Sequence, residues 1–203
     1  MLNRASFLAI AICLLFSVAC KKSSKPGGNS TPSPLAGSWN FSGETTNADI
    51  TSTATFGPIS VKVVNLIDFR TLNNVGGLTF TNDSLDAVGV GYSIDTTYTT
   101  YTYTGLTIDT AVSPLVATTQ PTNTSVSYEL IGQDSIYFPN GSPFTLNVDS
   151  IQPPISINGA HFTISGSTLT FTSTLNQSGN ETINGITAPT TGTISSVITL
   201  SKQ

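Results

Sequence analysis

From residue 20 onward, Thr, Val, Ile, Tyr, Phe and Trp number 74, while Ala, Leu, Glu, Lys, Gln, Arg and Met together number 34. A chain so rich in β-branched and aromatic residues favours strands and has little from which to build helices. Residue order agrees. In 59–70 the odd positions are Ile59, Val61, Val63, Asn65, Ile67 and Phe69, while Lys62, Asp68 and Arg70 share the opposite face, the period of a strand with one buried side. In 88–94, Val88, Val90, Tyr92 and Ile94 form one set with Gly89, Gly91 and Ser93 opposite. Glycines alternating on one face imply a close backbone approach or a sharp corner. The phase then moves between Tyr98 and the pair Tyr101 and Tyr103, which predicts a bulge or turn there. Gly132–Ser135 and Ser165–Ser167 read as hairpin links. No amphipathic helix of useful length is present, so about ten strands in residues 35–203 predict a single all-β, antiparallel domain, a barrel of about 8–10 strands or a β-sandwich.

Composition removes several functions. Charged residues make up 9 % of the chain, with 7 basic against 11 acidic. Residues 35–203 retain Lys62, Arg70 and Lys202 against all eleven acids, a net charge of −8. No cationic face exists to hold a nucleic-acid backbone. The scarcity of Glu, Lys and Arg also excludes coiled coils and helical repeats.

The N-terminus reads as an export signal. Met1 to Arg4 carries one positive charge, and Ala5 to Ala19 contains only Ser6 and Ser17 as polar residues. Fifteen residues are too few for a membrane span and suit the apolar region of a signal peptide. The run ends Ser17-Val18-Ala19-Cys20, which resembles the bacterial lipobox, with serine where leucine is usual. The resemblance implies cleavage before Cys20 and a diacylglycerol on its sulfur, hence attachment to the outer membrane. Cys13 would leave with the signal, so no disulfide or cysteine-bound metal is expected. Residues 21–34 are Gly-, Pro- and Ser-rich, a flexible tether of about 20 Å. Lys21, Lys22 and Lys25 lie where they can meet anionic headgroups. The organisation expected is thus 1–19 signal, 20–34 lipidated cysteine and tether, and 35–203 β domain.

Gly37-Ser38-Trp39 at the first expected strand resembles the opening Gly-x-Trp of lipocalin-like barrels. There the tryptophan plugs the closed end, and a basic residue of the last strand packs over it. Trp39 is the chain's one tryptophan and Lys202 the matching base. The family's Thr-Asp-Tyr motif is missing. Together with the lipobox, the pattern resembles lipocalin-like lipoproteins of Bacteroidota, and it implies a small apolar or amphipathic ligand held in the barrel mouth.

Chemistry-bearing residues are few. His161 has no acid or cysteine close in sequence, so it reads as a surface residue and not a base. No Gly-x-Ser-x-Gly, phosphate loop, metal set or cofactor motif occurs, and a non-enzymatic monomer is expected. Tyr92, Tyr98, Tyr101 and Tyr103, set among threonines, suit contact with sugars or apolar ligands, or cross-strand Tyr–Thr pairing. Five Asp-Ser/Thr triplets, with hydroxyls at Ser84, Thr96, Thr110, Ser135 and Ser150, resemble O-glycosylation acceptors of exported Bacteroidota proteins. Asp-Ser pairs also cap turns. Two functions follow: a ligand-holding barrel, or a surface module contacting polysaccharide or protein, with a structural envelope lipoprotein as the third option. Interior volume separates the first two.

Overall fold

The structure, a computed structural model, describes residues 32–143, 145, 146, 155, 156, 158–183 and 185–203. The signal, Cys20 and Ser150 lie outside these residues. The domain is all-β, as the strand-former excess requires. Its strands are β1 (Gly37–Phe56), β2 (Ile59–Arg70), β3 (Leu72–Phe80), β4 (Ser84–Thr104), β5 (Thr107–Ser127), β6 (Glu129–Ile131), β7 (Ser135–Tyr137), β8 (Thr145–Leu146), β9 (Ile155–Ser156), β10 (Gly159–Ser165), β11 (Thr168–Ile183) and β12 (Ile186–Lys202). Ten of them form one antiparallel sheet, and β8 and β9 pair separately. The backbone ladder runs β5-β4-β3-β1-β12-β11-β10-β7-β6, with β2 between β1 and β4. Hydrogen bonding thus closes a ring of four strands, β1, β2, β4 and β3, and the described ladder otherwise runs open from β5 to β6.

That ring arises because β2 and β3 are two halves of one composite strand. β2 pairs with residues 45–56 of β1, and β3 with residues 37–40 of the same edge. Between them Asn73 takes φ 52°, and the Asn74 amide donates to the Ser42 carbonyl across the gap.

Several strands through this region are irregular. In β1, Phe41 pairs with Leu200 and Gly43 with Thr199, so Ser42 is an extra residue. A bulge of one residue reverses the faces beyond it. Trp39 and Phe41 point inward before it, and Glu44, Thr46, Ala48 and Ile50 after it. β4 does the same at Gly89, where φ is 62°. Leu85 and Ala87 are buried, Val88 turns outward to 60 % exposure, and the inward set resumes at Val90. The expected alternation of Val88 with Val90 is therefore corrected by a bulge at the intervening glycine. The expected close approach is present: a Cβ on Gly76 would lie 2.5 Å from the backbone of Gly89 and Val90.

Conversely, no irregularity separates Tyr98 from Tyr101. β4 keeps its register from Tyr98 to Thr104 against β2 and from Tyr92 to Thr104 against β5, so the expected bulge or turn is replaced by tyrosines on opposite faces. β2 follows its predicted phase, with Ile67 and Phe69 buried and Lys62, Asp68 and Arg70 exposed. Both predicted hairpin links are also present, β6–β7 and β10–β11.

The corner divides the interior in two. One cluster gathers Trp39, Phe41, Leu78, Phe80, Leu85, Ile136, Phe138, Phe162, Leu169, Phe171 and Leu200 with their neighbours. Phe80 stacks on Phe171 at 5.9 Å and meets Tyr128 edge-on at 5.8 Å, contacts worth about 0.5–1.5 kcal/mol each beyond area burial. The other joins Ala48, Ile50, Ile67, Phe69, Ile94, Leu115 and Ile194. Burial of Ile94 and Leu115 with Ile194 shows how far the sheet curls, since β4 and β12 lie on opposite sides of β1.

Gly76→Ala should cost more than about 3 kcal/mol, because φ is +99° and the added Cβ meets backbone. Gly105→Ala, at φ +60° in open space, should cost only about 1 kcal/mol. Urea midpoints of the two variants check this, and equal shifts would refute the close approach.

Candidate functional site

The β1 bulge turns one acid into the interior. Glu44 is 7 % exposed and sits where the two apolar clusters meet. Its Oε1 accepts from Ser196 Oγ at 2.6 Å and from Thr46 Oγ1 at 3.0 Å. Its backbone is locked to Thr71: the Glu44 N–H donates to Thr71 Oγ1 at 2.8 Å, and the Thr71 N–H donates to the Glu44 carbonyl at 2.9 Å. Thr46, Thr71 and Ser196 are themselves buried. Desolvation pushes the Glu44 carboxyl up from its ordinary value, and the Ser196 and Thr46 hydroxyls oppose this only in part.

Beside the carboxyl is a cavity of about 60 Å³, lined by Phe41, Glu44, Ala87, Val90, Tyr92, Thr119, Thr122, Thr124 and Pro143. The Tyr92 ring lies 6.0 Å from Phe41, tilted by 47°. Burial raises the Tyr92 hydroxyl; a hydrogen bond with Thr119 lowers it, and the Glu44 charge raises it further. Larger depressions of about 660, 450 and 410 Å³ open to solvent along β7, β10 and β11, over β1, β11 and β12, and over β1, β2 and β4.

The four tyrosines proposed for ligand contact do not converge. Tyr92 and Tyr98 face inward, packed against the second cluster. Tyr101 and Tyr103 lie on the outer face, in register with Val64 and Lys62 of β2 and with Thr110 and Ile108 of β5. Lys62 Nζ lies 5.7 Å from the Tyr103 ring centroid.

At the other end of β1, Trp39 is 2 % exposed and donates from Nε1 to the Leu35 carbonyl at 3.0 Å. Gly37 and Trp39 pair with Phe80 and Leu78 of β3. Trp39 is in register with Lys202, whose Nζ lies 6.0 Å from the ring centroid. Leu35 is fully buried, and Ser33 accepts from the Tyr128 hydroxyl at 2.9 Å. Packing therefore begins two residues inside the segment assigned to the tether.

The hydroxyls of the Asp-Ser/Thr triplets occupy different settings. Ser84 shares a turn network with Thr81, and Ser135 donates to Asp134 Oδ1 in the β6–β7 turn. Thr96 is half-buried mid-strand beside Leu115, and Thr110 is exposed on β5. Turn capping thus accounts for two of them and not for Thr96. Ser150 falls outside the described residues.

His161, which lacks acidic neighbours in sequence, gains one in the fold. β10 pairs with β7, bringing Ser135 Oγ to 2.9 Å from His161 Nδ1 and Asp134 Oδ1 to 4.0 Å. A relay needs the serine on one ring nitrogen and the acid on the other. Here both approach Nδ1, and the histidine and aspartate side chains are 77 % and 71 % exposed. The arrangement is a surface hydrogen-bond cluster. Among the described residues no group of three or more metal-ligating side chains occurs, and no helix is long and apolar enough to cross a membrane.

No protein-family model, curated protein or solved structure matches the chain.

The sequence signal for Glu44 was present but misleading. Strict alternation from Trp39 and Phe41 would place residue 44 outside, and only the glycine at 43 marks the bulge that reverses it. Glu44→Gln should change the pH dependence of stability. A carboxyl raised by folding contributes stability below its ordinary value near 4.5 and loses it as pH rises through the folded value. The glutamine variant should lack that loss and be at least as stable as the parent at neutral pH. Urea midpoints at acid and neutral pH measure it; parallel curves for the two proteins would refute it.

Proposed function

We propose that this chain is a non-enzymatic outer-membrane lipoprotein, anchored through Cys20, whose β domain contacts polysaccharide through its outer face. The observation that carries this reading is the small volume left beside Glu44 between the described strands. The cavity inside the sheet is about 60 Å³, against roughly 300–1,000 Å³ for small-molecule pockets. The outer face of β2, β4 and β5 is by contrast extended and polar-aromatic. It presents Tyr101 and Tyr103 with Thr97, Thr99 and Thr110, and Leu66 and Val112 flank Thr99. Tyrosine rings offer apolar faces to sugar C–H groups, and threonine hydroxyls both donate and accept. Sparse charge suits a neutral glycan better than an ionic partner.

A second reading, a lipocalin-like barrel with a small ligand, is favoured by the Trp39–Lys202 contact between first and last strands. Among the described residues, the cavity beside Glu44 is too small for the body of an apolar ligand. Thr110, exposed beside Tyr101, is the most accessible of the described triplet hydroxyls for a glycan of the protein's own.

Two outcomes test the proposal. Cys20→Ser should shift the exported protein from the membrane to the soluble fraction, and retention at the membrane would defeat the anchor. Tyr101→Ala with Tyr103→Ala should weaken retention in polysaccharide-containing native gels at least about tenfold, equivalent to about 1.4 kcal/mol, while leaving the urea midpoint nearly unchanged. Unaltered retention, or retention of the parent only by a protein partner, would overturn the glycan reading.

A further inference from the structure

We infer that the cavity beside Glu44 is a binding site for the ammonium head of a small organic cation. The inference is independent of the outer-face reading, because it concerns the opposite side of the sheet.

The first ground is an uncompensated acid. The described residues hold three cations, and none forms an ion pair with Glu44. Lys62 lies over Tyr103 and Lys202 over Trp39. Arg70 stands on the outer face and lines a solvent-open depression together with Ser42, Thr45 and Glu44, but makes no ion pair with the carboxylate. Glu44 therefore has hydroxyl donors and no positive partner inside the sheet, and both of those hydroxyls bond Oε1. A carboxylate buried in this way is costly unless it takes up a proton or a cation.

The second ground is the shape and lining of the space it faces. A cavity of about 60 Å³ has the volume of about two waters of the liquid, enough for a methylammonium-sized group and too little for a tetraalkylammonium. Phe41 and Tyr92 line it with Glu44, so two aromatic rings and a carboxylate converge on one volume. That is the chemistry of alkylammonium recognition: a charge-assisted N–H to carboxylate bond together with cation–π attraction. Thr119, Thr122 and Thr124 add hydroxyl oxygens that can accept the remaining N–H groups. An anion would meet Glu44, and a neutral apolar group would leave the carboxyl without its charge partner.

Ionisation of Glu44 then controls binding. From the elements packed around it, β4 presents Tyr92, whose hydroxyl is raised and stays neutral, while Asp86 and Asp95 of β4 face outward. β2 carries Lys62, Asp68 and Arg70 outward, and Asp49 of β1 also faces outward. β3 has no titratable residue, β5 has Asp109 alone at its far end, and the one charged side chain of β12 is Lys202, over Trp39. One group is thus left to titrate against the ligand.

The test is a titration of the full-length chain in detergent with methylammonium chloride, following the aromatic NMR signals of Phe41 and Tyr92. Saturable shifts with a dissociation constant below about 10 mM are expected, weakened at least about tenfold by Glu44→Gln. Affinity should rise with pH as Glu44 ionises, with proton release on binding. Tetramethylammonium and ethanol should fail to saturate. Thr122→Phe, at the exposed mouth, should block binding without touching the carboxyl. No saturation by about 10 mM, binding by the glutamine variant within about twofold of the parent, or affinity indifferent to pH would each overturn the inference.

Discussion

The structure depends on a bend that crosses several strands at the same level. The bulge at Gly43 in β1, the turn of the composite strand at Asn73–Gly76, and the glycines at 89 and 91 in β4 lie side by side. A Cβ on Gly43 would come within 2.9 Å of the Asn74 amide, one on Gly76 within 2.5 Å of Gly89, and one on Gly91 within 3.0 Å of Thr119 and Pro121. Strands of about twenty residues, such as β1, β4 and β5, are too long to stay flat while covering a core. Local bulges let the sheet curl sharply at one level. The curl creates two apolar clusters instead of one, and the row of bulges becomes the seam between them.

Function, on this account, follows from the seam. Bulges reverse which side chains face inward, so polar residues enter the interior there. Glu44, Thr46, Thr71, Tyr92 and Ser196 are all drawn to that level, and their hydrogen bonds are largely to one another. Asn74 shows the strain of such a junction. Its amide donates to Ser42 and Thr71, while its buried Oδ1 lacks a partner. Away from the seam the sheet is regular, and its outer face is free to present Tyr101 and Tyr103.

What composition and period could reveal, they revealed. The excess of β-branched residues, the β2 alternation and the glycine-containing hairpin links all appear in the fold at the expected places. What they could not reveal were events of one residue. Alternation places Val88 with Val90 and leaves Glu44 outside, because a period of two carries no mark of an inserted residue. The tyrosines erred in the opposite direction: an apparent phase change between Tyr98 and Tyr101 is simply a strand with aromatic residues on both sides. Ser135 and Asp134 reach His161 only through strand pairing across twenty-six residues, a distance that sequence proximity does not register. Trp39 and Lys202, at opposite ends of the domain, were paired in advance only through the lipocalin-like resemblance.

The central claim is that the Gly43 bulge carries an acid into the sheet, where it governs the interior. The direct measurement is the side-chain carboxyl ¹³C shift of Glu44 followed through a pH titration. The account predicts a midpoint clearly above the ordinary glutamate value near 4.5, as burial disfavours the charged form. A midpoint at or below that value would place Glu44 in solvent and contradict the account.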